Sequence, residues 1–120
     1  MKGNSMNEEE TRDEAAKSTM EIIINAGDAR VFIAEALDNI GDADYDLARA
    51  NMEKANDKLL IAHRLQTQKL QGEAEGDAVE YSVLFTHAQD TLMSIMSEYN
   101  LTQKIITIFK KRDSKAGHSK

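Results

Sequence analysis

The apolar positions of this 120-residue chain recur every three or four residues in three long segments, a spacing that predicts α-helices. The segments carry these positions: Ile22, Ala26, Ala29, Ile33, Ala36, Leu37 and Ile40; Ala48, Met52, Ala55, Leu59, Ala62, Gln66 and Leu70; Tyr81, Phe85, Ala88, Leu92, Ile95, Met96 and Tyr99. Each set forms one face of an amphipathic helix. Short connections make consecutive helices antiparallel, so we expect an all-α fold, an up-down-up antiparallel three-helix bundle.

Turn and capping residues predict where the first two helices begin and end. Thr11 and Glu14 have the spacing of a capping box, which predicts the start of the first helix. Gly41 is expected to end that helix as a C-terminal glycine. Asp42 or Asp44 then supplies the side-chain oxygen that caps the second helix.

The third helix is predicted to follow a glycine-rich break, Gly72–Gly76, and to end near Arg112. Asp77 and Glu80 resemble another cap with a reciprocal acid. Basic residues at the end of the helix complement its dipole. The expected organisation is a flexible acidic N-terminal segment, a three-helix bundle domain and a basic C-terminal tail, over residues 1–12, 13–112 and 113–120.

Composition narrows the class of protein. The chain has no proline, which favours long helices, and no cysteine, which excludes disulfides and thiol catalysis within it. A net charge of −6 argues against a nucleic-acid partner. No apolar run approaches the length that spans a bilayer, and the N-terminus lacks a signal-peptide pattern, so direct membrane insertion is not expected. These features predict a cytoplasmic protein.

A second, thinner apolar stripe runs along the third helix, away from the core stripe. Val83, Leu101, Ile105 and Ile108 form it, and Asp90 falls within it. A helix with apolar residues on two faces usually buries both. We therefore expect another copy of the chain to cover the second stripe.

His87 lies on the same side of the third helix as the second stripe. At about 100° per residue it is roughly 140° from the middle of the core stripe, so it should not point into its own bundle. One interpretation is an inert histidine, hydrogen-bonded within a helix–helix contact. The other is a nucleophile, since a neutral imidazole has a free ring-nitrogen lone pair.

Three segments of the chain favour the nucleophile. They are His87-Ala88-Gln89-Asp90-x-Leu92-Met93, Ile23–Arg30 and Ala62–Thr67. These segments resemble, in the same order and spacing, three segments of the lactose/cellobiose-type IIA proteins of the sugar phosphotransferase system. The chain resembles this family from about Met20 to Phe109. The first segment departs from the family in one place, because Thr91 replaces the usual second histidine.

The resemblance implies a cytoplasmic phosphocarrier. In such a protein His87 accepts a phosphoryl group, on Nε2, from the phosphohistidine of HPr and passes it to a cysteine of a IIB protein. The system it implies imports a disaccharide or β-glucoside at the expense of phosphoenolpyruvate. The chain is then a phosphotransferase component with a phosphohistidine intermediate.

The resemblance also implies a homotrimer with a metal on its axis. Asp90 of three chains would meet there, and three ionised carboxylates about 4 Å apart repel by a few kcal/mol per pair at an effective dielectric near 20. Either protonation or a bound cation relieves that repulsion. Oxygen ligands favour a hard ion, and we expect one Mg²⁺ per trimer.

Other positions in the matching segments have weaker predicted roles. Gln89 is expected to organise the surroundings of His87, and His63, at about the same height in the bundle, is a candidate for lining the phosphoryl pocket. Thr91 keeps a hydroxyl but no titrating ring, so transfer is expected to survive while partner preference changes. Gly27 costs about 1 kcal/mol inside a helix, which predicts that another helix approaches closely there.

Two other functions remain open on the residues alone. A two-component histidine phosphotransfer domain is also a helical bundle, but it usually has a lysine and then a glycine where this chain has Asp90 and Thr91. A non-catalytic helical adaptor that oligomerises through the second stripe predicts that changing His87 has little effect.

Overall fold

The protein is a long bundle of three α-helices. The computed structural model describes residues 4–74 and 83–118, with side chains from 13–72 and 83–117. The helices are α1 (Asn4–Gly41), α2 (Tyr45–Ala74) and α3 (Val83–His118), and the described residues contain no strand. They form a rod of 80 × 21 × 19 Å. The predicted all-α three-helix architecture is confirmed.

The core is a narrow layer of aliphatic side chains between the three helices. Its buried apolar residues are Ile22, Ala26, Ala29, Ile33, Ala36, Ile40, Ala48, Met52, Ala55, Leu59, Ala62, Phe85, Ala88, Leu92, Ile95 and Ile106. The prediction was wrong for Leu37 and Leu70, which are 42% exposed. Each lies four residues before the end of its helix, where fewer neighbours remain to cover a side chain. Tyr81 lies outside the described residues.

The turn between α1 and α2 differs from the prediction in one residue. α1 does end at Gly41, but the residue in the left-handed conformation is Ala43, with φ of 56°. Asp44 N–H donates to the Asn39 carbonyl at 2.9 Å, and Ala43 N–H donates to the Ile40 carbonyl at 2.9 Å. This is the Schellman arrangement, with alanine where glycine is usual.

The predicted cap of α2 is confirmed and assigned to Asp44. Its Oδ1 accepts from the Leu47 N–H at 3.1 Å, and its carbonyl accepts from the Ala48 N–H at 3.0 Å. A side-chain oxygen at this position satisfies an N–H that has no partner within the helix.

The outer ends of α1 and α3 extend beyond the predicted limits. α1 begins at Asn4 rather than near Thr11, and α3 continues to His118 rather than ending near Arg112. Residues 4–26 and 113–116 contain neither glycine nor proline, so nothing in them interrupts a helix. α2 likewise continues through Gly72 to Ala74, and the predicted cap at residues 77–80 lies outside the described residues.

Polar contacts between helices set their relative heights. Arg30 on α1 pairs with Glu98 on α3, which fixes an offset of 68 residues between these parallel helices. About 16 Å away along the bundle, Lys69 donates to the Thr19 hydroxyl at 2.9 Å and lies 4.7 Å from the centroid of the Phe85 ring. The second set of contacts places residue 19 level with residue 85, an offset of 66. The two offsets agree closely, so heights along the bundle can be compared.

Candidate functional site

His87 stands on the surface of the described chain, one turn into α3. Its side chain is exposed, whereas Ala88 and Leu92 on the opposite face of the helix are fully buried. The prediction that this imidazole does not point into its own bundle is confirmed. An exposed ring can be reached by a second protein, which a group-transfer site requires.

The second apolar stripe is also exposed in the single chain. Val83 is 83% exposed, Leu101 62% and Ile108 50%, while Ile105 is half-buried. Asp90, one turn beyond His87, is exposed on the same face. Large apolar side chains exposed in a row mark a surface that binds another protein. This observation favours association through α3.

A single chain does not assemble a metal site in its described part. Among residues 13–72 and 83–117, no three histidine, aspartate or glutamate side chains are grouped closely enough to hold an ion. Asp90 supplies one carboxylate, and Mg²⁺ requires six oxygen ligands in near-octahedral geometry. Its exposed, oxygen-only chemistry fits such an ion only if other chains or waters complete the shell.

The two residues that flank Asp90 are partly covered. Gln89 and Thr91 are half-buried, between the exposed His87 face and the core. Gln89 is two residues from His87 and about 160° away on the wheel of α3, so within one chain its side chain does not lie beside the imidazole. Their roles stay predictions.

His63 lies at the predicted height but on another side of the bundle. The Lys69–Phe85 contact places His63, which is exposed, level with Thr91, about 6 Å above His87 at 1.5 Å per residue. On the helical wheel of α2, His63 lies within about 40° of Arg49. Arg49 donates a hydrogen bond to Gln103 of α3 at 3.1 Å. On the wheel of α3, Gln103 is about 160° from His87. Within one chain the two histidines therefore lie on different sides of α3, and a shared pocket stays a prediction.

The segment around Gly27 forms an exposed apolar strip on α1. No atom of another helix lies within 4 Å of a Cβ placed on Gly27, so the predicted close approach of another helix is wrong within the chain. Met20, Ile24 and Val31 are 42%, 54% and 57% exposed on the same side. We call Met20, Ile24, Gly27 and Val31 the α1 strip. This strip was not predicted from the sequence, although its four-three-four spacing opposite the core stripe is visible there.

The α1 strip and His87 occupy the same part of the rod. With offsets of 66 to 68 residues, Met20 is level with about His87, and Val31 with about Glu98. Two of the three matching segments, Ile23–Arg30 and the run that begins at His87, are thus adjacent on parallel helices. The predicted convergence in height is confirmed for this pair.

A polar groove between α2 and α3 is separate from this region. It encloses about 300 Å³ and is lined by Arg49, Met52, Glu53, Asn56, Asp57, Tyr99 and Gln103. None of these residues belongs to the His87 face. The groove therefore contributes nothing to the candidate site.

Among the described residues, no helix contains an apolar stretch long enough to cross a bilayer.

Comparison with known proteins gives consistent matches. The family described as "PTS system, Lactose/Cellobiose specific IIA subunit" matches residues 17–110. The lactose-specific EIIA component of Staphylococcus epidermidis is 38% identical over 100 residues, which cover 83% of this chain and 96% of that protein. The corresponding protein of Streptococcus mutans has the same identity and the same coverage.

Solved structures give the same result for the fold. PtcA from S. mutans superposes with a TM-score of 0.80 at 36% identity, covering 82% of this chain and 96% of that one. The cellobiose-specific enzyme IIA from Bacillus anthracis superposes with a TM-score of 0.79 at 37% identity, covering 84% and 93%. The similarity therefore extends over nearly the whole length of these proteins.

Proposed function

Because the chain belongs to the lactose/cellobiose-specific IIA family of the sugar phosphotransferase system, we propose that it is the phosphocarrier of such a system. The observation that carries the proposal is the exposed position of His87, within the run His87–Met93 and level with the α1 strip. The imported sugar is a disaccharide or β-glucoside, and the protein acts in the cytoplasm. Its partners are HPr, the donor, and a IIB protein or domain, the acceptor.

The transfer needs one nucleophilic ring nitrogen. The lone pair of His87 Nε2 attacks the phosphorus of the phosphohistidine on HPr, the donor N–P bond breaks, and the donor imidazole leaves with the bonding electrons. In the second step a cysteine thiolate of the IIB protein attacks the same phosphorus and displaces His87. An exposed ring permits both encounters, and a partner docked over it excludes the water that would otherwise hydrolyse the phosphoryl group.

The active assembly is a homotrimer that associates through α3. Support comes from the exposed apolar side chains of Val83, Leu101 and Ile108, which another copy would cover. Asp90 lies between Val83 and Leu101 on the same face, so association brings three of its carboxylates together at the axis. One Mg²⁺ per trimer would offset their repulsion, with waters completing its shell.

Reconstitution tests the proposal directly. The full chain is incubated with phosphoenolpyruvate, enzyme I and HPr, and acid-labile phosphate is mapped on the peptides. Native protein and a His118→Gln variant are expected to acquire phosphate on the peptide that contains His87, and a His87→Gln variant is not. His118 serves as the control because it is a histidine of the same helix that lies about 46 Å from His87 along α3.

A second function is favoured by the α1 strip. A non-catalytic adaptor would use exposed apolar residues such as Ile24 and Val31 to hold other proteins. It predicts that His87→Gln changes nothing measurable and that no phosphate is incorporated. Phosphate incorporation that is equal in the native and His87→Gln proteins would contradict both functions as stated.

A further inference from the structure

The outward face of α3 is exposed along its whole length. We call its residues the α3 seam: Val83, His87, Asp90, Ser94, Ser97, Leu101, Lys104, Ile108, Lys111 and Lys115, all of them exposed. They alternate at spacings of four and three residues, the repeat that stays in line when parallel helices wind around one another with about 3.5 residues per turn. If Asp90 lies on a threefold axis, the seam residues a whole number of heptads from it, Val83, Ser97, Lys104 and Lys111, lie along that axis too. His87 lies beside the axis on the side of α1, because Glu98, about 20° from it on the wheel of α3, contacts Arg30 of α1.

The charge of the seam changes sign from one end to the other. Asp90 is its one acidic residue, and the basic residues begin at Lys104. Over the whole chain the same change is visible: residues 1–103 contain nine Lys or Arg and 20 Asp or Glu, and residues 104–120 contain six and one, which together reproduce the net charge of −6. A parallel homotrimer therefore gathers negative charge at one level of its axis and positive charge at another.

Lys104 lies between two apolar positions of the seam. Leu101, which precedes it, is 62% exposed in the single chain, and Ile108, which follows it, is 50% exposed. Covering these side chains in a trimer would draw three ammonium groups between two apolar layers. Buried charges of one sign are unfavourable unless an opposite charge accompanies them. The two ion pairs between described side chains, Arg30–Glu98 and Lys58–Asp28, leave Lys104 out.

Lys111 and Lys115 are in a different situation. With the offset of 68 residues, the end of α1 at Gly41 is level with residue 109, so α3 extends past α1 from residue 110 onward. No apolar seam residue follows Ile108, so the ammonium groups of Lys111 and Lys115 are not enclosed between two apolar layers as Lys104 is. Lys104 is the seam cation that association would dehydrate.

We propose that three Lys104 side chains bind one oxyanion of the phosphate class on the axis of the homotrimer, a site that rests on the assembly in the proposed function. At 1.5 Å per residue it lies about 21 Å along α3 from the level of Asp90. A tetrahedral oxyanion has threefold symmetry of its own, so three of its oxygens each accept a charge-assisted hydrogen bond from one ammonium group. Inorganic phosphate is the probe of this chemistry.

The test measures the monomer–trimer equilibrium of the full chain by sedimentation, at constant Mg²⁺ and constant ionic strength. Phosphate replaces chloride up to about 10 mM, far below the concentrations at which it stabilises proteins by exclusion from their surface. The apparent association constant is expected to rise about tenfold when phosphate reaches ten times its dissociation constant. Calorimetric titration of the trimer should give one phosphate per three chains.

Variants at Lys104 locate the effect. Lys104→Gln is expected to lose the response to phosphate, and Lys104→Ile to lose it while forming a tighter trimer without phosphate, because isoleucine suits the interior of three-stranded assemblies. Lys17→Gln, which removes an exposed cation on α1, is the matched control and keeps the native response.

Each contrary result has a distinct meaning. A native trimer indifferent to phosphate overturns the anion site. Asp38, an exposed acid on α1, is level with about residue 106 at the offset of 68. If Asp38→Asn weakens such a trimer, Lys104 is instead paired with a carboxylate of a second copy. A Lys104→Gln trimer that responds as the native one does overturns the site as well, since phosphate then acts elsewhere. A chain that stays monomeric in every buffer overturns the homotrimer together with this site, while phosphorylation of His87 would still support the carrier function.

Discussion

Arg30 on α1 and Glu98 on α3 form an ion pair with two hydrogen bonds. Arg30 Nε donates to Oε1 of Glu98 at 3.0 Å, and Nη2 donates to Oε2 at 2.6 Å. The hydrogen bond to Glu98, and then its negative charge, raise the pKa of Arg30 above its ordinary value, although slight burial opposes them. The pair joins residues 68 positions apart and holds the α1 strip level with His87. It therefore connects the packing of the bundle with the surface on which a partner would dock.

Breaking this pair should cost little stability. Both side chains are about half exposed, and exposed pairs contribute about 0.2–1 kcal/mol, with two-bond geometry near the upper end. A double-mutant cycle with Arg30→Gln and Glu98→Gln, read by urea unfolding, is expected to give a coupling free energy of about 1 kcal/mol or less. Lys58 and Asp28, a single contact at 3.6 Å, provide the matched control and should couple more weakly. Equal coupling in the two pairs would contradict the role given to the geometry.

Replacing Ala43 by glycine should stabilise the protein. Ala43 has φ of 56°, a conformation in which the Cβ of an L-residue is strained and glycine is not. We expect Ala43→Gly to raise the free energy of unfolding by about 0.5–1 kcal/mol, after the larger entropy of the unfolded glycine chain is allowed for. Ala34→Gly is the control, because Ala34 is exposed within α1, where glycine lowers stability by about 1 kcal/mol. A fall in stability for both variants would show that the turn carries no strain.

The sequence was sufficient for the architecture because its signals are local and repeated. The core stripe recurs over many turns, so single errors such as Leu37 do not change the fold. Helix limits were less predictable, since Thr11 has the spacing of a cap but the chain before it is also free of helix-breaking residues. At the turn, Gly41 was the natural choice for the left-handed residue, and hydrogen bonds from two later residues placed that conformation at Ala43 instead.

The candidate site was predictable in part. The wheel of α3 was enough to place His87 outside the core, because burial in a bundle follows angular position. Height alone suggested that His63 lies near His87, yet its angular position on α2 places it on the side that faces Gln103 of α3, away from His87. The α1 strip was missed because Gly27 was interpreted as a packing contact within the chain, and the structure leaves it open.

The contact between Tyr45 and Asp113 predicts a change of stability at alkaline pH. The Tyr45 hydroxyl donates a hydrogen bond to the Asp113 carboxylate, which, with smaller contributions from burial and charge, raises the pKa of Tyr45 above its ordinary 10.0. A tyrosine whose pKa is higher in the folded than in the unfolded state stabilises the fold below about pH 10. That contribution is lost as the pH rises through the folded pKa.

Absorbance titration of tyrosinate measures the shift. The difference between native protein and Tyr45→Phe isolates this residue from Tyr81 and Tyr99, and its midpoint is expected above pH 10.0. Asp113→Asn should move the midpoint down, because the accepting charge is gone. Asp46→Asn, an exposed acid on the next residue of α2, is the control and should leave the midpoint nearer the native value. A midpoint unaffected by Asp113→Asn would assign the shift to another cause.

Asp90 provides the test of the axial metal. Three ionised carboxylates about 4 Å apart repel by a few kcal/mol per pair at an effective dielectric near 20, so a trimer that holds them together needs a cation or protons. Asparagine keeps the shape and oxygen of the side chain but removes its charge. We therefore expect Asp90→Asn to assemble equally well with Mg²⁺ and with chelator, and the native trimer to weaken when the ion is withdrawn. Asp57→Asn, an exposed acid on α2 away from the seam, should keep the native dependence on metal. If chelator weakens the native and Asp90→Asn trimers to the same degree, the divalent ion acts at some other position. Asp90 is the only carboxylate of the α3 seam, so its removal would then have left the effect of the ion on assembly unchanged.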